Sequence, residues 1–225
     1  MFDCDGVLLD SNEMKVACFR EAVEAAGFTA GDVERFSAFQ RANFGTSRFR
    51  LFDTLLGWQL ERRPPVDRDS LVALYAERLR QLYVAAAATP AMRAVVGELS
   101  ERMPAYVVSG SDEAELREVL ATRGDAALFR LILGSPCTKV ENLLTIFARP
   151  ELAGIPQGAI IFVGDAEADW EAARETGCGF VYMDRFSTVQ TRMRTLAAEE
   201  GFPLIQDLRC LHAALGLPQP KDEVP

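Results

Sequence analysis

From about residue 105 onward the chain alternates short apolar runs with helical stretches, a pattern that restricts it to a parallel sheet covered by helices. Residues 105–108, 131–133, 159–163 and 179–183 read as strands, and residues 203–206 as a last short one. Residues 112–123, 138–148 and 166–176 carry helical spacing between them, with Ser111 or Asp112 placed to cap the first. A further helix precedes the alternation, with Thr89 as its cap, Pro90 as its first residue and Met103 near its end. The opening residues read as one more short strand that ends at Asp3, before a turn at Gly6.

The stretch between Ser11 and about Ala88 is different in kind, because it has helix signals and no strand signal. Residues 12–26 place Met14, Cys18 and Ala22 along one side, and Gly27 is the stop. Residues 41–60 carry Phe44, Phe49, Phe52, Leu55 and Leu56. Residues 70–84 carry Leu71, Leu74, Tyr75, Leu79 and Leu82 at helical intervals, and the Arg-Arg-Pro-Pro run at 62–65 is a loop. The expected architecture is therefore an α/β core of residues 1–11 and 88–225, a doubly wound parallel sheet, interrupted by an all-helical insertion over residues 12–87. The alanine run 85–88 is the candidate hinge, and the Pro- and charge-rich tail after Leu217 is expected to fray. A chain of 225 residues, 49% of them hydrophobic, can bury cores for both parts.

Parallel sheets of this kind bind ligands at the carboxyl ends of their strands. Four such ends carry reactive groups: Asp3 and Asp5; Ser109, Gly110 and Ser111; Lys139; and Asp165 with Asp169 one helical turn on. Singly each has an ordinary explanation. Asp-x-Asp-Gly can be a turn, Ser109 a helix cap, Lys139 a solvated helix residue, and Asp165 an N-cap beside an exposed Asp169. Acid, hydroxyl, ammonium and acid at four strand ends of one edge is a stronger pattern than any of its members.

Residues 2–11, Phe-Asp-Cys-Asp-Gly-Val-Leu-Leu-Asp-Ser, resemble the first motif of the haloacid dehalogenase superfamily of phosphatases and phosphomutases. Val107-Val108-Ser109 is similar to its second motif, Lys139 to its third, and residues 160–169, which contain Gly164-Asp165 and Asp169, to its fourth. The helical insertion resembles the cap of the β-phosphoglucomutase and phosphoglycolate phosphatase branch. The resemblance implies a Rossmann-like core with an inserted cap. It also implies a Mg²⁺-dependent phosphatase acting on a small phosphorylated metabolite, a phosphosugar or a phosphoglycolate-like ester, through an aspartyl-phosphate. In that reading Asp3 is the nucleophile and Asp5 the general acid and base. The Asp3 side chain, the Asp5 backbone carbonyl and Asp165 hold the metal with support from Asp169, and Ser109, Gly110 and Lys139 hold the phosphoryl oxygens. Gly45-Thr46-Ser47-Arg48 resembles the cap loop that contacts substrate, so Arg48 is a candidate for gripping a distal phosphate or carboxylate.

The residue chemistry agrees with these roles. Phosphoryl transfer asks for in-line positioning and charge neutralisation, a carboxylate can act as its nucleophile, and a second carboxyl can give and take the proton. In an extended segment positions i and i+2 point the same way. Four aspartates in one pocket call for a hard cation with oxygen ligands, and Mg²⁺ suits a site of a few carboxylates and waters. Lys139 gains weight because only three of the 24 basic residues, Lys15, Lys139 and Lys221, are lysines.

The formal net charge of −9 disfavours nucleic acid and anionic membrane as partners, and leaves a small anion dependent on local positive charge or a metal. Five cysteines without CxxC spacing, and no leader-like or membrane-length apolar stretch, lead us to expect reduced thiols in a cytoplasmic protein, monomeric or weakly dimeric. A serine hydrolase or zinc site is disfavoured by the single histidine, His212. Asp5 argues against a dehalogenase. A phosphomutase of the β-phosphoglucomutase type is the nearer alternative, but Lys15 stands where those relatives place a histidine. A non-catalytic phosphosugar- or partner-binding protein is the alternative of another class. Only Met1 and Phe2 precede Asp3, fewer than a central strand ordinarily has, so further residues before Met1 are expected.

Overall fold

The computed structural model describes residues 1–60 and 62–218. Residues 1–3 lie in the middle of the sheet. The chain then turns through Gly6 into β1 (Leu9–Asp10) and on into four helices, α1 (Asn12–Ala25), α2 (Ala30–Ala42), α3 (Arg48–Gly57) and α4 (Arg68–Ala85). It returns in β2 (Ala87–Ala88), antiparallel to β1 with Leu9 opposite Ala88 and Asp10 opposite Ala87. The insertion thus leaves and re-enters the core side by side. The Thr89 hydroxyl donates to the Val7 carbonyl at 2.6 Å and the Thr89 N–H to the Leu8 carbonyl at 3.0 Å, which fastens this junction. Of the alanine run only Ala86 lies between the end of α4 and the β1–β2 pair.

One helix was not assigned from the sequence, and two local readings need correction. Helix α2 lacks a strong apolar stripe, burying only Val33, Phe36 and Gln40, and its start is marked by Thr29, whose side chain accepts from the Asp32 N–H. The stretch 41–60 is not one helix. Helix α2 ends at Ala42, the chain turns through Gly45 in the left-handed region (φ +85°), and Ser47 caps α3. Thr89 is not a helix cap, because its hydroxyl is engaged on Val7; the helix begins later, after Ala91.

The remaining chain alternates as the apolar runs require: α5 (Met92–Arg102), β3 (Tyr106–Asp112), α6 (Glu113–Thr122), β4 (Leu131–Ser135), α7 (Lys139–Phe147), β5 (Ile161–Gly164), α8 (Glu167–Thr176), β6 (Gly179–Met183), α9 (Gln190–Glu200), β7 (Leu204–Ile205) and α10 (Leu211–Ala214). Strands β3 and β4 pair in parallel, as do β5, β6 and β7. Phe2 joins the two groups by parallel bridges to Val107 and to Val163. Its N–H donates to the Tyr106 carbonyl and its own carbonyl accepts from Val108, both at 2.9 Å. The spatial order is β4, β3, residues 1–3, β5, β6, β7, an α/β sheet entered at its centre.

Alternate strand residues feed two cores, one on each face, as a parallel sheet buried on both sides demands. Val107, Val163 and Val181 pack with Val96 of α5 and Leu116 of α6. Tyr106, Val108 and Phe162 pack with Leu143 of α7, Ala173 of α8 and Met193 of α9. The helical insertion continues the first core through an aromatic group. Phe19 lies 4.1 Å from Tyr75 and 5.2 Å from Phe52, centroid to centroid, and Phe36 stacks on Phe52 at 5.8 Å. These rings tie α1, α2, α3 and α4 into one unit with more than area burial alone. Among the described residues no helix is long and apolar enough to cross a membrane. The readings of Lys221 and of most of the C-terminal tail lie outside the described residues.

Candidate active site

Residues at the carboxyl edge of the sheet converge because each strand stops at the same level. Asp3 is held by its own N–H, which donates to the Val163 carbonyl at 2.9 Å. The turn that follows needs glycine. Gly6 has φ +74°, and a Cβ there would run into the Asp165 carboxylate and the Asn12 amide. Ser109, Gly110 and Ser111 occupy the irregular stretch where the β3–β4 register shifts between Val108 and Asp112, a bulge that turns their groups toward the site. A capping box, with Thr138 and Glu141 exchanging hydrogen bonds, starts α7 at Lys139. Asp165 follows β5, and Asp169 closes the first turn of α8 by accepting from the Ala166 N–H at 3.1 Å.

The core side of the site is crowded with negative charge. Oxygens of Asp3, Asp165 and Asp169 lie within 4.8 Å of one another, and all three residues are buried. Lys139 donates to Asp3 Oδ2 at 2.8 Å and also to Asp169. Burial, then the charges of Asp169 and Asp3, push the Asp165 carboxyl well above the ordinary carboxylate range. Burial pushes Asp169 up to about 7 even though Lys139 pulls it down. Burial would lower the Lys139 ammonium, but Asp169 and Asp3 outweigh it and hold the group above its ordinary value. Asp165 Oδ2 accepts from Asn12 at 2.6 Å, while its buried Oδ1 has no hydrogen-bond partner among the described residues. Three carboxylates facing one ammonium, with one carboxylate oxygen unpaired, fit a divalent cation with oxygen ligands. The Asp5 side chain is not part of this group of three.

Asp5 instead faces the insertion. Ser11 donates to its Oδ1 at 2.5 Å, and Lys15 and Ser111 donate to its Oδ2 at 2.6 and 2.9 Å. The Lys15 ammonium also donates to Ser111 Oγ at 2.6 Å and sits 3.9 Å above the Tyr83 ring. Burial favours the neutral acid, but the Lys15 charge and the hydrogen bonds from Lys15, Ser11 and Ser111 outweigh it and hold the Asp5 carboxyl below its usual value. Reasoning from sequence missed Lys15 and Asn12 as site residues. The signal for Lys15 was available, since the scarcity of lysine that singled out Lys139 applies equally to it.

Asp3, Asp5, Lys15, Arg48, Ser109 and Gly110 share one cavity of about 30 Å³, roofed by residues 44–46 between α2 and α3. That is room for a few waters; a wider cavity of about 680 Å³, lined by Lys139 and Arg50, adjoins it at Gly45, Thr46 and Gly110. There backbone lies against backbone: a Cβ on Gly110 would meet the Gly45 carbonyl. Ser109 Oγ accepts from the Ser111 N–H at 3.2 Å. Arg48 reaches the cavity but is buried, with its guanidinium on Glu115 of α6 and 4.6 Å from the Tyr75 ring centre. His212 is in α10, and its nearest charged neighbour is Glu98 of α5.

Residues 1–183 match the family model for haloacid dehalogenase-like hydrolases. No curated protein matches the chain. Among solved structures, CbbY from Rhodobacter sphaeroides in complex with phosphate is 17% identical, with a TM-score of 0.74 over 96% of this chain and 97% of that one. A haloacid dehalogenase-like family hydrolase from Streptococcus pneumoniae is 20% identical, with a TM-score of 0.68 over 94% and 95%. A predicted phosphoglycolate phosphatase from Haemophilus somnus is 15% identical, with a TM-score of 0.70 over 94% and 95%. At these identities the likeness is one of fold.

Proposed function

Because the chain belongs to the haloacid dehalogenase-like hydrolases, we propose that it is a phosphatase that hydrolyses a small phosphorylated metabolite through an aspartyl-phosphate on Asp3. The observation that carries this reading is the division of labour between Asp3 and Asp5. Asp3 lies among buried carboxylates with Lys139 on its Oδ2, and Asp5, two residues on, lies in a separate hydrogen-bonded group with Lys15, Ser11 and Ser111.

Asp5, ionised beside Lys15 in this structure, first takes up a proton from solvent; an Asp3 carboxylate oxygen then attacks phosphorus, the bond from phosphorus to the ester oxygen breaks, and the departing alkoxide takes that proton from Asp5. Water then attacks phosphorus, gives a proton to Asp5, and the bond to Asp3 breaks to regenerate the carboxylate. Lys15 and Ser111 keep the Asp5 carboxylate aimed and able to receive that proton. Ser109, the Gly110 N–H and Lys139 hold the phosphoryl oxygens, with Lys139 moving from its carboxylate partners toward the phosphate. Mg²⁺ would be held by Asp3, Asp165 and the Asp5 backbone carbonyl with Asp169 in support, and would neutralise charge on the phosphoryl group. Water rather than a second hydroxyl is the acceptor, since among the described residues the only histidine lies in α10. The direct test is Mg²⁺-dependent phosphate release from p-nitrophenyl phosphate, with trapping of a phosphoenzyme. No release with or without Mg²⁺ would leave the fold as a binding module.

A further inference from the structure

Gln40 is a buried polar residue of the cavity wall that neither the catalytic group nor the fold accounts for. It lies on the buried side of α2 with Val33 and Phe36, is 1% exposed, and lines the same cavity as Asp3 and Asp5. Its Oε1 is buried and accepts no hydrogen bond among the described residues. A buried carbonyl oxygen of this kind is costly to leave unpaired, and the cost disappears when a donor arrives.

Both cations that line this cavity, by contrast, already have an anion. Lys15 is on Asp5 and Arg48 on Glu115, while Lys139 serves Asp3 and Asp169. Lys139 lies in an adjoining pocket that Arg50 also lines; once it turns to the transferred phosphoryl group, no unpaired positive charge is left for a second anion among the described residues that line this cavity. A carboxylate or distal phosphate on the leaving group would be buried beside Asp5 without a partner, which is strongly disfavoured. Arg48, which the sequence marks for gripping such an anion, would first have to leave Glu115.

We propose that the leaving alcohol is uncharged and hydroxylated, as in a sugar or polyol monophosphate, and that Gln40 accepts a hydrogen bond from one of its hydroxyls. This rests on the phosphatase reading and selects within it, against phosphocarboxylates such as phosphoglycolate. A site that pairs with a substrate hydroxyl also rejects analogues that lack it, because the amide is then left unpaired.

The experiment compares kcat/KM of the wild-type chain on sn-glycerol 3-phosphate, D-ribose 5-phosphate, 2-phosphoglycolate and p-nitrophenyl phosphate. At least one of the hydroxylated esters should exceed 2-phosphoglycolate by about tenfold or more. Gln40→Leu should reduce kcat/KM on that ester by about tenfold more than on p-nitrophenyl phosphate, so a general loss of structure is separated from a lost contact. Glu115→Gln, which releases Arg48, should raise the 2-phosphoglycolate to p-nitrophenyl phosphate ratio by about fivefold. A wild type that prefers 2-phosphoglycolate, or rejects both hydroxylated esters while hydrolysing p-nitrophenyl phosphate, overturns the inference. So does an equal effect of Gln40→Leu on all substrates, or an unchanged ratio in Glu115→Gln. If the wild type hydrolyses none of the four, the phosphatase reading itself fails.

Discussion

The two aspartates of the first turn, Asp3 and Asp5, sit two residues apart in environments of opposite character. Around Asp3 the core supplies Asp165, Asp169 and one ammonium, and burial drives two of those carboxyls upward. Around Asp5 the insertion supplies Lys15, the core supplies Ser11 and Ser111, and the carboxyl is driven down. The first group sets three carboxylates against the single ammonium of Lys139, all four from the core. The second is balanced only when α1 brings Lys15 against the core. On the mechanism proposed above, the cation-binding half lies within the core and the proton-handling half lies where the two parts of the chain meet.

The most severe way to break this contrast is Asp3→Asn. The side chain keeps its shape but cannot attack phosphorus, so turnover of p-nitrophenyl phosphate should fall by more than about a thousandfold while circular dichroism stays native. Turnover near wild type would falsify the assignment of Asp3 as nucleophile.

Removal of divalent cations strikes the same half next. Exhaustive EDTA treatment should cut activity by about a hundredfold or more, and Mg²⁺ should restore it where Ca²⁺ does not, since Ca²⁺ prefers looser coordination of higher number. Undiminished activity after chelation would mean that Lys139 alone neutralises the three carboxylates.

Lys15→Met attacks only the proton-handling half. It deprives Asp5 of its ammonium partner, and kcat should fall by about ten- to a hundredfold with the Mg²⁺ concentration for half-maximal activity nearly unchanged. A large shift in that Mg²⁺ requirement would show that the two halves are not independent.

The smallest effect is expected at the tie between the parts. Arg48→Ala removes the pairing with Glu115 and the packing on Tyr75. Since the partly exposed Glu115 can return to water, the loss should be a few-fold in kcat/KM and should be similar for charged and uncharged substrates. A loss confined to substrates with a second anion would return Arg48 to a direct binding role.

The strand ends were legible in the sequence because their chemistry is local. Apolar runs define where strands stop, and Asp3, Lys139 and Asp165 follow those stops within a few residues; Ser109 follows the apolar run of β3, although the strand continues irregularly to Asp112. Helix α2 was not legible because its interior mixes charged residues with a buried glutamine, so the apolar period that marks α4 is broken. The start of α5 was misread because Thr89 fits a helix cap as well as it fits a tie to Val7.

What the sequence determined by itself was the parallel sheet, the helical insertion and the gathering of carboxylates at one edge, since each follows from residue spacing along neighbouring stretches of chain. What only the tertiary structure decided was which charges meet across the seam. Lys15 on Asp5, Arg48 on Glu115 and Gly45 against Gly110 join residues far apart in the chain, and the buried Gln40 Oε1 accepts no hydrogen bond among the described residues. Electrostatic energy in a buried site depends on distances of a few ångströms and on solvent exclusion, and both are set only when the helical insertion closes on the core.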